Sequence, residues 1–164
     1  MTDSAFDPQA FLNGTFNQGV DTRIPLHKPG DWVGMVGVGD KSIAVRAMSG
    51  QHKDGTPYSA IAMDVWLETE DPSAVEEGGI APARARYSIW ADTKADGNID
   101  LSPGKSRSLG HLLTALGFQD KSGKVIKPWS PQAFKGLRVK YRVVHDVRKD
   151  NGEPVANVSA VLPA

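Results

Sequence analysis

Only one stretch of this chain has the spacing of an amphipathic helix, and that scarcity constrains the fold more than any other feature. Between Ser106 and Gly117 the apolar residues fall at Leu109, Leu112, Leu113 and Leu116, the i, i+3, i+4, i+7 pattern that places four leucines on one helical face. Ser106 or Ser108 is positioned to cap the first turn, since a serine oxygen accepts from a free backbone N–H there. Gly117 supplies the stop, because glycine enters the left-handed conformation without steric cost. A helix of about ten residues is marginal alone, so it must be held by what surrounds it, and that reads as strands and turns.

Three strand-like runs precede the helix. Asp31 to Val38 contains Gly34 and Gly37, and glycines inside a strand mark a bulge or a tight bend. Lys41 to Met48 either continues this bent strand or forms a short separate one. Tyr58 to Leu67 alternates cleanly, with Ile61, Met63, Val65 and Leu67 opposite Tyr58, Asp64 and Trp66. Ala83 to Trp90 sets Ala85, Tyr87 and Ile89 against Arg84, Arg86 and Trp90. Two runs follow the helix: Leu137 to His145, with Val139, Tyr141 and Val143 against Arg138, Lys140 and Arg142, and Val155 to Leu162 beyond an Asn151-Gly152 hairpin signal.

The connections are legible as well. Glu68 to Pro82 is acidic and rich in Gly and Pro, which predicts a free surface loop, and Ser130 to Phe134 reads as a single turn with proline first. Residues 1–28 form an extended arm whose phenylalanines, Phe6, Phe11 and Phe16, are expected to clip it to the body, and residues 29–164 form one β domain. Closing five strands around a helix that plugs one end hides the sheet edges economically. The predicted fold is therefore mainly β, an oligonucleotide-binding (OB)-like five-stranded barrel with its helix between the third and fourth strands. A β-sandwich with one helical excursion is the structural alternative.

Charge adds a functional direction. The 164 residues hold 19 basic and 19 acidic side chains and no cysteine, so disulfides and thiolate metal sites are excluded. No apolar run approaches the ~20 residues of a membrane span, and the start lacks a basic, apolar leader; the expectation is a soluble, intracellular protein. The charge balance is a cancellation: residues 1–82 carry 5 basic and 12 acidic side chains, a net of −7, and residues 83–149 carry 14 and 5, a net of +9. Such asymmetry points to a polyanion-binding surface.

Single-stranded nucleic acid is held by cations that track phosphates and by aromatic faces on which bases stack. The candidates are Tyr58, Trp66, Arg84, Arg86 and Trp90 on the strands before the helix, Lys105 and Arg107 at its start, Lys124, Lys127 and Trp129 in the loop after it, and Arg138, Lys140 and Arg142 on the fourth strand. If the aliphatic faces point inward, alternation turns these residues outward. Trp66 and Trp90 can equally be covered by the arm or the acidic loop, and Trp129 can anchor its own loop. Gly104-Lys105-Ser106 lacks the glycine of a phosphate loop five residues earlier, where Ile99 stands. His27, His52, His111 and His145 show no zinc-site spacing, and Asp92, Asp96 and Asp100 read as turn residues rather than a calcium loop. No enzymatic activity, cofactor or metal is expected.

The stretches Pro29-Gly30-Asp31-Trp32, Gly104 to Gly117 and Phe134 to Val143 resemble small bacteriophage-encoded proteins of replication and recombination modules, regarded as single-stranded DNA-binding proteins with an OB-like core. The resemblance covers roughly residues 29 to 162. It implies a protein that coats single-stranded DNA with little sequence preference in the cytoplasm of the infected bacterium, with a second copy of itself and replication or recombination proteins as further partners. The chain departs from many such proteins in its zero net charge and in ending Val-Ser-Ala-Val-Leu-Pro-Ala rather than in an acidic tail. Two other readings are a structural protein of the phage particle, whose arm docks on a neighbouring subunit, and a small regulatory protein that binds a host enzyme. Convergence of Arg84, Arg86, Arg138, Lys140, Arg142, Trp66 and Trp90 on one continuous surface favours nucleic acid, and scatter favours the structural reading.

Overall fold

The computed structural model describes residues 5–20 and 23–164. In chain order the elements are α1 (Pro8–Asn13), β1 (Gly30–Val36), β2 (Ile43–Gln51), β3 (Pro57–Thr69), β4 (Ala83–Asp92), α2 (Arg107–Leu116), β5 (Arg138–Val147) and β6 (Pro154–Leu162). The strands form one mixed sheet in the order β1-β5-β6-β4-β3-β2. Neighbours run antiparallel except β4 and β6, which are parallel and share one registered pair, Arg86 with Asn157. The sheet curls enough for β1 to meet β3 as well, at Met35 opposite Glu68 and Val36 opposite Leu67.

Gly34 makes that second meeting possible. A Cβ there would collide with the Glu68 carbonyl oxygen, lie 2.9 Å from the Glu68 carbonyl carbon and stand 3.1 Å from the Tyr141 ring. Only a residue without a side chain lets the two backbones approach this closely.

Alternation then fills the interior. Along β4, Ala83, Ala85, Tyr87, Ile89 and Ala91 are buried while Arg84, Ser88 and Trp90 are exposed. Val139, Tyr141 and Val143 of β5 and Met63, Val65 and Leu67 of β3 complete the same core. Helix α2 packs its buried Leu109, Leu112, Leu113 and Leu116 against it, in contact with β4, β5 and β6. Gly117 ends the helix at φ 86°, and the Phe118 N–H returns to the Leu113 carbonyl at 2.9 Å. Ser106 occupies the cap position, but its hydroxyl donates to the Asp100 carbonyl at 3.0 Å instead of accepting from the first turn.

Four expectations require correction. The five-stranded barrel is instead a curled six-stranded sheet, because the separate-strand reading of 41–48 holds: β1 and β2 are divided at residues 37–42, and β2 runs on to Gln51. The arm is not wholly extended, because Asp7 caps α1 by accepting from the Gln9 N–H at 3.0 Å and Pro8 suits a first-turn position. The arm's phenylalanines do not clip it to the sheet: Phe6, Phe11 and Phe16 are 56–72% exposed and contact one another, with ring centroids 5.8 and 5.4 Å apart. Nor is the acidic stretch after β3 a free loop. It forms a 3-10 turn at Pro72–Ala74, pairs through Val75 with His27, and accepts the Leu26 N–H on the Glu76 carboxylate at 3.0 Å.

Candidate nucleic-acid interface

Cross-strand register decides which outward side chains become neighbours. Residues directly opposite one another share a face, so β3 and β4 bring Trp66 opposite Arg86, Glu68 opposite Arg84, Asp64 opposite Ser88 and Ala62 opposite Trp90. On the other flank of β3, Arg46 of β2 lies opposite Ala62 and Gly50 opposite Tyr58. Ala62 therefore lies between Arg46 and Trp90 on the same face. The result is one continuous outer face spanning β2, β3 and β4.

Its two ends differ. At the β2–β3 hairpin, His52, Tyr58 and Trp90 form an aromatic ladder, with centroids 5.1 Å apart for His52 and Tyr58 and 6.0 Å for Tyr58 and Trp90. Trp90 is 42% exposed, and its indole N–H donates to Asp92 at 3.2 Å. At the opposite end lies a cleft of about 510 Å³, where Trp66, Arg84 and Arg86 face Arg148 and Asn157. Pro25, Leu26 and residues of the acidic stretch form its far wall.

A buried histidine fixes that wall. His27 is 2% exposed; its Nδ1–H donates to the Lys28 carbonyl at 2.9 Å, and its Nε2 accepts from the Tyr141 hydroxyl at 2.9 Å. The His145 Nε2–H donates to the His27 carbonyl at 2.7 Å. Burial holds the His27 imidazole below its ordinary pKa; the Lys28 carbonyl opposes this and nearby His145 reinforces it. The neutral ring is therefore the form that ties residues 25–28 to the sheet.

Three of the four arginines of the face are already engaged. Arg84 Nε donates to Glu68 at 2.9 Å, Arg86 stands 3.9 Å from Asp64, and Arg148 grips Asp150 through two nitrogens at 3.1 and 2.7 Å. An arginine carries five N–H donors, so each can retain its carboxylate and still donate to a phosphate.

Sequence candidates outside this face scatter. Arg138, Lys140 and Arg142 point outward from β5, between β1 and β6, two strands from either β3 or β4. Arg142 pairs with Asp31 at 2.8 Å, and that bond holds the Asp31 carboxyl below its usual range. Lys105 and Arg107 are exposed at the start of α2. Lys124 is exposed in the following loop, and the Lys127 ammonium sits over the Phe118 ring at 5.0 Å. Trp129 stacks on Phe134 with centroids 6.1 Å apart and packs against the core, so it anchors its loop.

Arg46, His52 and Arg148 belong to the face, although sequence reasoning omitted them. Arg46 had a readable signal, since it sits at an alternating position in a strand-like run. Arg148 lies beside a hairpin turn, where alternation carries no information. Among the described residues, no group of three or more His, Asp or Glu side chains is placed to hold a metal ion, and no helix is long and apolar enough to cross a membrane. No protein-family model matches the chain, and no curated protein sequence matches it significantly.

Proposed function

We propose that this protein binds single-stranded DNA, with little sequence preference, along the outer face of β2, β3 and β4. The observation that carries the reading is the interleaving on one surface of Tyr58, Trp90 and Trp66 with Arg46, Arg84, Arg86 and Arg148. Every base offers a π-face, so aromatic platforms bind single strands without reading sequence, while the guanidinium groups meet the phosphates.

An OB-like architecture supports the same reading. If β1 and β2 are two halves of one bent first strand, the pairings run first-second-third-fifth-fourth-first. The proposed DNA face then lies on the second and third strands, flanked by the first-second and fourth-fifth loops, which is where OB folds hold oligonucleotides. Those loops carry His52 and, at its edge, Arg148. The resemblance of residues 29 to 162 supports a setting in phage replication or recombination. No catalytic step is assigned to the protein.

Fluorescence anisotropy of a labelled oligothymidine tests the proposal at several salt concentrations, with duplex as competitor. Binding that weakens as salt rises, because phosphate contacts release counterions, and that duplex fails to displace is the expected result. Absence of binding at low salt would overturn it.

A further inference from the structure

The outer face of β5 is left unused by the reading above, and so is the arm. Register places Asp31 opposite Arg142, Val33 opposite Lys140 and Met35 opposite Arg138 on one side of β5, and Leu162 opposite Lys140 on the other. This face carries three cations and no aromatic ring. Only Arg142 has an ion-pair partner among the described residues. Val33 and Leu162, flanking Lys140, are 44% and 57% exposed. The stripe therefore combines unpaired positive charge with exposed aliphatic surface.

The arm has the complementary character. Residues 1–20 contain Asp3 and Asp7 and no lysine or arginine. Phe11 makes tilted ring contacts with Phe6 and Phe16, all three keep most of their surface in water, and Leu12 is 71% exposed. An apolar cluster of this kind, standing clear of its own sheet, is the signature of a contact made elsewhere.

We infer that the N-terminal arm of one copy docks on the β5 stripe of a second copy, its phenylalanines covering Val33 and Leu162 and its net negative charge drawn to Arg138 and Lys140. The two surfaces differ, so the contact is heterologous and each bound pair leaves one arm and one stripe free. Copies therefore chain head to tail. The stripe lies two strands from β3 and β4, so the face assigned to DNA stays open in every copy of the chain.

Sedimentation velocity of the full chain, without nucleic acid, from low to high micromolar concentration tests this contact. The sedimentation coefficient is expected to rise with concentration and the rise to weaken with added salt. Phe11→Ser with Phe16→Ser, or Arg138→Glu with Lys140→Glu, should each lower the self-association constant by about tenfold or more. All four positions are exposed, and unchanged melting temperatures will show that folding is intact. An equimolar mixture of the two double variants retains one competent arm and one competent stripe, and should form dimers but nothing larger. A monomer at every concentration, association that survives either double variant, or a mixture that stays monomeric would overturn the inference. The contact does not depend on the DNA reading: a monomer that binds oligothymidine refutes the contact alone, and a self-associating protein that ignores oligothymidine refutes only the DNA reading.

Discussion

Replacing Trp90 by alanine separates stacking from charge. The indole is 42% exposed and its N–H bond to Asp92 lies at the surface, so its removal leaves the core of Ala85, Tyr87 and Ile89 intact and should cost less than about 1 kcal/mol of stability. One base–aromatic stack is worth about 1–3 kcal/mol by alanine substitution, which converts to roughly 5- to 150-fold in Kd. Tyr58, 6.0 Å away, keeps part of the platform, so the lower half of that range is expected. No phosphate partner is lost, so a plot of log K against log salt should shift down without changing slope. Arg86→Ala should act in the opposite way: removing one phosphate contact flattens the slope by about 0.7 for a single strand. Oligothymidine anisotropy at four or more salt concentrations reads both quantities. A Trp90→Ala protein that binds within about twofold of the parent, or whose slope flattens as much as that of Arg86→Ala, would refute the division of labour along β4.

Three further outcomes follow from the packing. Gly34→Ala forces a methyl group into the Glu68 backbone and should destabilise by about 1–3 kcal/mol or more, seen as a lower melting temperature; an unchanged melt would remove the argument for close β1–β3 approach. His27 has a lowered pKa in the folded state, so the unfolded chain binds the proton more readily. Its contribution to stability is complete above the unfolded pKa near 6.5 and declines as pH falls below it, by at most about 1.4 kcal/mol per pH unit; His27→Gln should flatten the pH 7-to-5 dependence of thermal unfolding, and equal slopes would show that the imidazole does not titrate there. Trp129→Ala, which removes the stack on Phe134, should lower stability by about 1–3 kcal/mol and leave oligothymidine affinity unchanged at temperatures where the variant is folded; a matching loss of affinity would return Trp129 to the interface.

Local periodicity made α2 and the inward residues of β3, β4 and β5 readable, because alternation and the 3.6-residue period are short-range properties of the chain. The same property concealed the division between the two basic surfaces. Arg84 and Arg86 on β4 and Arg138, Lys140 and Arg142 on β5 have identical alternation with aliphatic neighbours. Alternation says that each points outward, but only strand order says in which direction around the sheet. Arg148 lies at a hairpin turn, and its proximity to Trp66 arises from tertiary packing, whereas His52 meets Tyr58 only once the β2–β3 turn closes between them. The partnership of Arg84 with Glu68 spans 16 residues and follows from the β3–β4 pairing. The failure of the phenylalanines to reach the sheet had no local signal, since an apolar residue in an arm reads alike whether it packs on its own domain or faces outward.

The single registered pair between β4 and β6 gives the molecule a seam. Apart from the two-pair meeting of β1 with β3, the other ladders run for six pairs or more, so opening one requires many bonds to break together; at Arg86 and Asn157 the sheet is held chiefly by side-chain packing beneath it. Amide hydrogens bordering this line should exchange with solvent sooner than those within the β3–β4 ladder, through openings that leave the rest of the sheet intact. The cleft containing Trp66, Arg86, Arg148 and Asn157 straddles the same line. An anion bridging Arg86 to Arg148 would act as a clasp across it, so occupancy of the cleft and protection of the seam would rise together.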